Sequence, residues 1–241
     1  MRVGIFDSGI GGLTVLKRMY NMYPNNEYIY LGDTLNLPYG NKSKEELCEL
    51  AINDIDFLID NGAEIIIIAC GTVSSNCIDY LKNKYKLPIY DIISPVIRYL
   101  NNSDYSNIGV IATNATIDSG VFRNNVSKNI YEIKTPDFVP LIEDNKFNEL
   151  DNSIDNYLSW YRDKIDLLVL GCTHYPIIRD NIEKYFGNNT RVLDMSELLL
   201  DVISDGNNSD IAIYYSKLSN NVIENTKKIM GIDNIKILEK E

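Results

Sequence analysis

The 241-residue chain has one histidine, one tryptophan, four cysteines and no Lys/Arg-rich run. Each shortage removes a class of function. A formal charge of -11 with no basic cluster denies the chain the positive footprint that nucleic acid or an anionic membrane surface requires. No run approaches the roughly eighteen apolar residues of a membrane-crossing helix, and the residues after Met1 hold no apolar leader with a cleavage site. The expectation is a soluble, cytoplasmic protein that binds neither nucleic acid nor membrane. Cys48, Cys70, Cys77 and Cys172 are too few and scattered for a disulfide framework, so free thiols are expected throughout. With no Cys-x-x-C pair and His174 as the lone imidazole, a metal site would lack ligands, and none is expected.

What is present is a core-forming composition, 45% hydrophobic, arranged as alternating strands and helices. That alternation predicts an α/β fold with mainly parallel strands. Strands are expected at Arg2–Phe6, Glu27–Gly32, Ile65–Ala69, Ile89–Ile92, Asn107–Ala112, Leu167–Leu170 and Arg191–Leu193, with a last one at Lys236–Glu239. Helices are expected from Gly12, Lys44, Thr72, Asp118 (to about Lys128), Lys146 (to about Lys164), Pro176, Ser196 (to about Ser204) and Asn220.

Two segments nearly repeat each other: IIIIACGT at Ile65–Thr72 and LLVLGCTH at Leu167–His174. A second echo links Val3-Gly4-Ile5-Phe6-Asp7-Ser8 to Ile108-Gly109-Val110-Ile111-Ala112-Thr113. The offsets, from Val3 to Ile108 and from Cys70 to Cys172, are almost equal, and a repeat of about a hundred residues is domain-sized. Two pseudo-symmetric α/β domains follow, 1–97 with 205–241 and 98–204, with the active site in the cleft between them.

Each repeat is a buried strand that delivers a cysteine to its carboxyl end, where open α/β sheets bind ligands. A helix N-terminus behind such a thiol is expected to lower its pKa and make it a base or nucleophile. Cys48 and Cys77, inside expected helices, read as structural. Asp7, at the end of the first strand, reads either as a cap or as a carboxylate beside Cys70. His174 reads as a packing residue or a helper, and Glu143 as a solvated carboxylate or a helper.

Other chemistries fail on the residues. A dinucleotide loop starting at Gly9 would need glycine where Thr14 stands. A thiol phosphatase would need arginine at Asn76 or Ile178, and no G-x-S-x-G elbow occurs.

With FDSGIGGLTVL at Phe6–Leu16, LGDTLNLPYG at Leu31–Gly40, FVPLIE at Phe138–Glu143 and LGCTHYPII at Leu170–Ile178, the chain resembles the cofactor-independent aspartate/glutamate racemase family from Val3 to about Leu200. The resemblance implies interconversion of L- and D-glutamate for peptidoglycan synthesis, without pyridoxal phosphate or metal, by an enzyme that is a homodimer. It implies that Cys70 serves D-glutamate with help from Asp7, and Cys172 serves L-glutamate with help from Glu143 and His174. It also implies substrate contacts from Asp7, Ser8, Pro38, Tyr39, Gly40, Gly71, Thr72, Thr113, Thr116, Thr173 and His174. One position departs: the family usually has Cys-Asn-Thr at the first site, whereas this chain has Cys70-Gly71-Thr72. Gly71 offers no amide, which admits aspartate or another amino acid as substrate, or a non-catalytic binding protein, as alternatives.

Overall fold

The computed structural model describes residues 1–199, 203–232 and 235–240. The elements in chain order are β1 (Arg2–Asp7), α1 (Leu13–Met22), β2 (Glu27–Gly32), α2 (Lys44–Asp60), β3 (Ile65–Ile68), α3 (Gly71–Lys84), β4 (Ile89–Asp91), α4 (Ile93–Asn102), β5 (Asn107–Ala112), α5 (Asn114–Asp118), β6 (Asn129–Lys134), α6 (Phe138–Glu143), α7 (Leu150–Leu158), β7 (Leu167–Leu170), α8 (Arg179–Phe186), β8 (Arg191–Asp194), β9 (Asp210–Tyr215), α9 (Asn220–Met230) and β10 (Lys236–Glu239). They build two sheets, a six-stranded one in the order β10-β9-β2-β1-β3-β4 and a four-stranded one in the order β6-β5-β7-β8. Every strand pair is parallel, so the carboxyl ends of neighbouring strands share one edge. The α/β class is as the alternation implied.

β3 and β7 are buried at every residue because both faces of these central strands are covered. One apolar cluster runs from Val3, Ile5 and Tyr30 to Ile108, Val110 and Val169, so the two sheets share core as well as a cleft. α2 starts at a capping box, in which Ser43 Oγ accepts from the Glu46 N–H and the Glu46 carboxylate accepts from the Ser43 N–H. That box fixes the point where the segment carrying Pro38, Tyr39 and Gly40 enters a helix.

Several sequence readings change. The helix expected from Asp118 to Lys128 is instead α5, because Thr113 Oγ1 accepts from the Thr116 N–H and so starts the helix earlier. Gly120, at φ +71°, then turns the chain out of it. β6 and β9 were not expected; NIYEIK of β6 is half polar, whereas DIAIYY of β9 is an apolar run directly after a polar stretch. α4 was not among the expected helices, and its Pro95 sits harmlessly in the first helical turn. The helix expected from Lys146 to Lys164 narrows to α7, flanked by 3-10 turns at Phe147–Glu149 and Ser159–Tyr161. The one expected from Ser196 is a 3-10 turn over Met195–Leu198, and its 200–202 portion lies outside the described residues. The expectation of four free thiols is wrong for two of them. Cys48 on α2 and Cys77 on α3 form a disulfide with Cα atoms 5.5 Å apart, a pairing set by helix packing that sequence spacing cannot show. No helix among the described residues is long and apolar enough to cross a membrane.

Candidate active site

The loops after β3 and β7 carry Cys70 and Cys172, which are free, 3% and 7% exposed, and face one cavity of about 60 Å³. Ser8, Pro38, Tyr39, Gly40, Gly71, Thr72, Thr113, Thr173 and His174 line the same cavity. Three expected site residues stand behind its wall instead. Asp7 is fully buried, Thr116 is fully buried, and Glu143 reaches the site only through His174. Thr116 Oγ1 lies 3.0 Å from Thr113 Oγ1, which lies 2.9 Å from Thr72 Oγ1, a hydroxyl relay between the two halves.

Leu37, Asn41, Asn114, Thr135, Pro136, Val139 and Pro140 complete the lining and were not singled out from sequence. Thr135 and Pro136 follow β6, so recognising that strand would have placed them at a carboxyl end. Asn41 and Asn114 each follow a residue that was singled out, Gly40 and Thr113, and adjacency was the available signal.

The thiols have unequal surroundings. Cys70 Sγ donates to Ser8 Oγ at 3.6 Å, and burial, then the Asp7 charge, push its pKa up to about 12. This reverses the expectation of a lowered pKa at Cys70, because desolvation outweighs the helix N-terminus. Cys172 Sγ lies 3.8 Å from His174 Nδ1, and His174 Nε2 lies 2.6 Å from Glu143 Oε1. Burial pulls the imidazole down, but its hydrogen bonds to Cys172 and Glu143 outweigh that and hold its pKa well above the ordinary value. A doubly protonated ring donates at both nitrogens, one to the sulfur and one to the carboxylate.

Asp7 does not bond Cys70. Its Oδ2 accepts from the Gly9 and Gly12 N–H groups at 3.1 and 2.9 Å, and its Oδ1 from the Thr173 hydroxyl at 3.1 Å. It therefore ties the first glycine loop to the second thiol loop, while its charge acts on Cys70 through space. The glycines of that loop are required by close approach. A Cβ on Gly11 would stand 2.4 Å from His174 Nδ1, and one on Gly9 would stand 2.6 Å from Glu143 Oε1. Gly71 belongs to the same contact zone, since a Cβ there would meet the Gly171 carbonyl oxygen at 2.8 Å. Among the described residues no group of three His, Cys, Asp or Glu side chains is placed to hold a metal.

The cleft between two parallel-sheet halves receives a free, buried thiol from each, and the chain belongs to the Asp/Glu/hydantoin racemase family, whose model matches residues 33–202. Within that family it groups with glutamate racemases, and it is an isomerase. The glutamate racemase of Aquifex pyrophilus is 37% identical over 243 residues, covering 97% of this chain and 95% of the relative. That of Fusobacterium nucleatum is 43% identical over 192 residues, covering 76% and 73%. The crystal structure of the Francisella tularensis glutamate racemase in complex with D-glutamate matches with a TM-score of 0.87 at 30% identity, covering 100% of this chain and 97% of that one.

Proposed function

We propose that the chain interconverts L- and D-glutamate in the cytoplasm by proton transfer between Cys70 and Cys172, supplying D-glutamate for peptidoglycan without a cofactor. The observation that carries this reading is the pair of free, buried thiols, one from each half, facing one small cavity. The D-glutamate held by the Francisella tularensis relative supports the choice of substrate. The proposed domains, 1–97 with 205–241 and 98–204, each bring one thiol, and a homodimer is the proposed assembly.

The resting charges suit L-glutamate. His174 is protonated and its Nδ1 faces the Cys172 sulfur at 3.8 Å, while buried Cys70 keeps its proton. Cys172 takes the α-proton from one face, breaking the C–H bond and forming S–H. The electron pair left on the α-carbon spreads into the α-carboxylate. Cys70 then gives its proton to the opposite face and becomes the thiolate, the form that D-glutamate needs. The α-C–H is a very weak acid, so the carbanion depends on preorganised donors in a site closed to water. Ser8, Thr72, Thr113 and the first N–H groups of α3 supply them around the cavity.

Purified protein incubated with L-glutamate in D2O, with no cofactor added, is expected to form D-glutamate carrying α-deuterium. Absence of both would overturn the reading. L-aspartate run in parallel is expected to react far more slowly.

A further inference from the structure

We propose that Lys240 is a positioning residue for the turn that carries Tyr39 and Gly40: by neutralising Asp54 it leaves Asp33 as the one carboxylate that holds the Tyr39 hydroxyl. Tyr39 forms part of the cavity wall and is 2% exposed, with its ring 6.5 Å from that of Phe6. Its hydroxyl donates to Asp33 Oδ2 at 2.6 Å. Asp33, 1% exposed, also accepts from the Ser216 hydroxyl at 2.6 Å and from the Asn36 amide at 2.8 Å. Three donor groups therefore converge on one carboxylate, and Tyr39 is only one competitor for it.

Asp54, on α2, is 3% exposed. Its Oδ1 accepts from Lys240 Nζ at 2.9 Å, and its Oδ2 has no partner among the described residues. Burial and then the charge of Asp33 push its pKa up to about 6, and Lys240 opposes them. Asp33, Tyr39 and Lys240 are the titratable groups acting on it. Lys240 comes to this place already fixed. Its N–H donates to the Tyr215 carbonyl at 2.8 Å, and its ammonium lies 5.1 Å from the centre of the Phe57 ring.

Without that ammonium, Asp54 takes up a proton and becomes a donor beside the oxygens of Tyr39 and Asp33. It then competes with the Tyr39 hydroxyl for its acceptor, and the cavity wall loosens without any change at either thiol. The C-terminal strands β9 and β10, through Ser216 and Lys240, thus reach the substrate cleft from the far side of the six-stranded sheet.

The kinetic part of this inference rests on glutamate turnover, so the test has two readouts. Lys240→Met is expected to raise KM for glutamate about three- to tenfold, the loss of roughly one hydrogen bond, with kcat within about twofold. Adding Asp54→Leu, which removes both the charge that needs neutralising and the donor that protonation would create, is expected to restore KM. A general weakening of β10 packing would not be rescued in this way. An unchanged KM in the single variant, or no recovery in the double variant, overturns the proposal. Independently of turnover, the Asp54 carboxyl followed by carbon-13 NMR is expected to titrate at higher pH in Lys240→Met, and an unmoved titration overturns it too. If the unsubstituted protein does not racemise glutamate, the functional reading fails alone, and the NMR titration still judges the role of Lys240.

Discussion

Cys70 and Cys172 stand at equivalent strand ends, yet one is enclosed by apolar packing and the other heads a chain of charged groups. Among the described residues the one side-chain partner of Cys70 is the Ser8 hydroxyl, and its pKa is driven up by burial and by Asp7. Around Cys172 the sequence Sγ, His174, Glu143 runs from the cavity wall to the 15% exposed Glu143 side chain. Equivalent places at the ends of two parallel strands therefore have different electrostatic environments. Burial holds the proton on the first sulfur, and the second sulfur faces an imidazole paired with a carboxylate. Because the two enantiomers are equal in free energy, kcat/KM must be the same in both directions, so this asymmetry can appear only as paired differences in kcat and KM.

The comparison breaks most completely if either sulfur is dispensable. Cys70→Ser and Cys172→Ser are each expected to lower racemisation by about a thousandfold or more, measured by polarimetry in both directions, and full activity in either variant defeats the two-thiol scheme. His174→Gln should cost about a hundredfold or more in kcat, with the loss confined to chemistry rather than folding if circular dichroism is unchanged. The same variant tests linkage. A His pKa raised in the folded state adds stability that is complete below about pH 6.5 and fades as pH rises through the higher native value. The unsubstituted protein should therefore lose Tm from that group as pH rises from 6 toward 10, and His174→Gln should lack that component.

Two glycines sharpen the comparison at smaller cost. Gly11→Ala drives a methyl into His174, which should destabilise by about 1–3 kcal/mol and displace the imidazole, seen as lower Tm and lower kcat together. Gly71→Asn separates two explanations of that position. If close approach to the Gly171 carbonyl governs it, the variant loses stability and gains no affinity. A fall in KM would instead show that a missing amide weakens substrate binding.

The sequence made the thiol-bearing strands readable because a run of buried apolar residues ending in small residues has few other meanings. β3 and β7 are such runs. It made the glycine loop visible too, but not its reason, which lies in His174 and Glu143 arriving from the other half. Asp7 was readable as a cap or a helper, and only its contacts show that its oxygens serve Gly9, Gly12 and Thr173. Likewise, Thr116 could be grouped with Thr113 by proximity in sequence, yet burial sets it behind the wall. The disulfide and the raised Cys70 pKa were illegible for a common reason. Both depend on how helices and loops pack around a sulfur, and local pattern carries no such information.

His174 is the chain's single histidine, and it sits between the second thiol and Glu143. A proton spectrum of this protein therefore contains one imidazole ring, with no assignment problem. Its carbon-bound protons report whether the cleft is empty, filled or titrating, so the molecule carries a native spectroscopic label at its most informative atom.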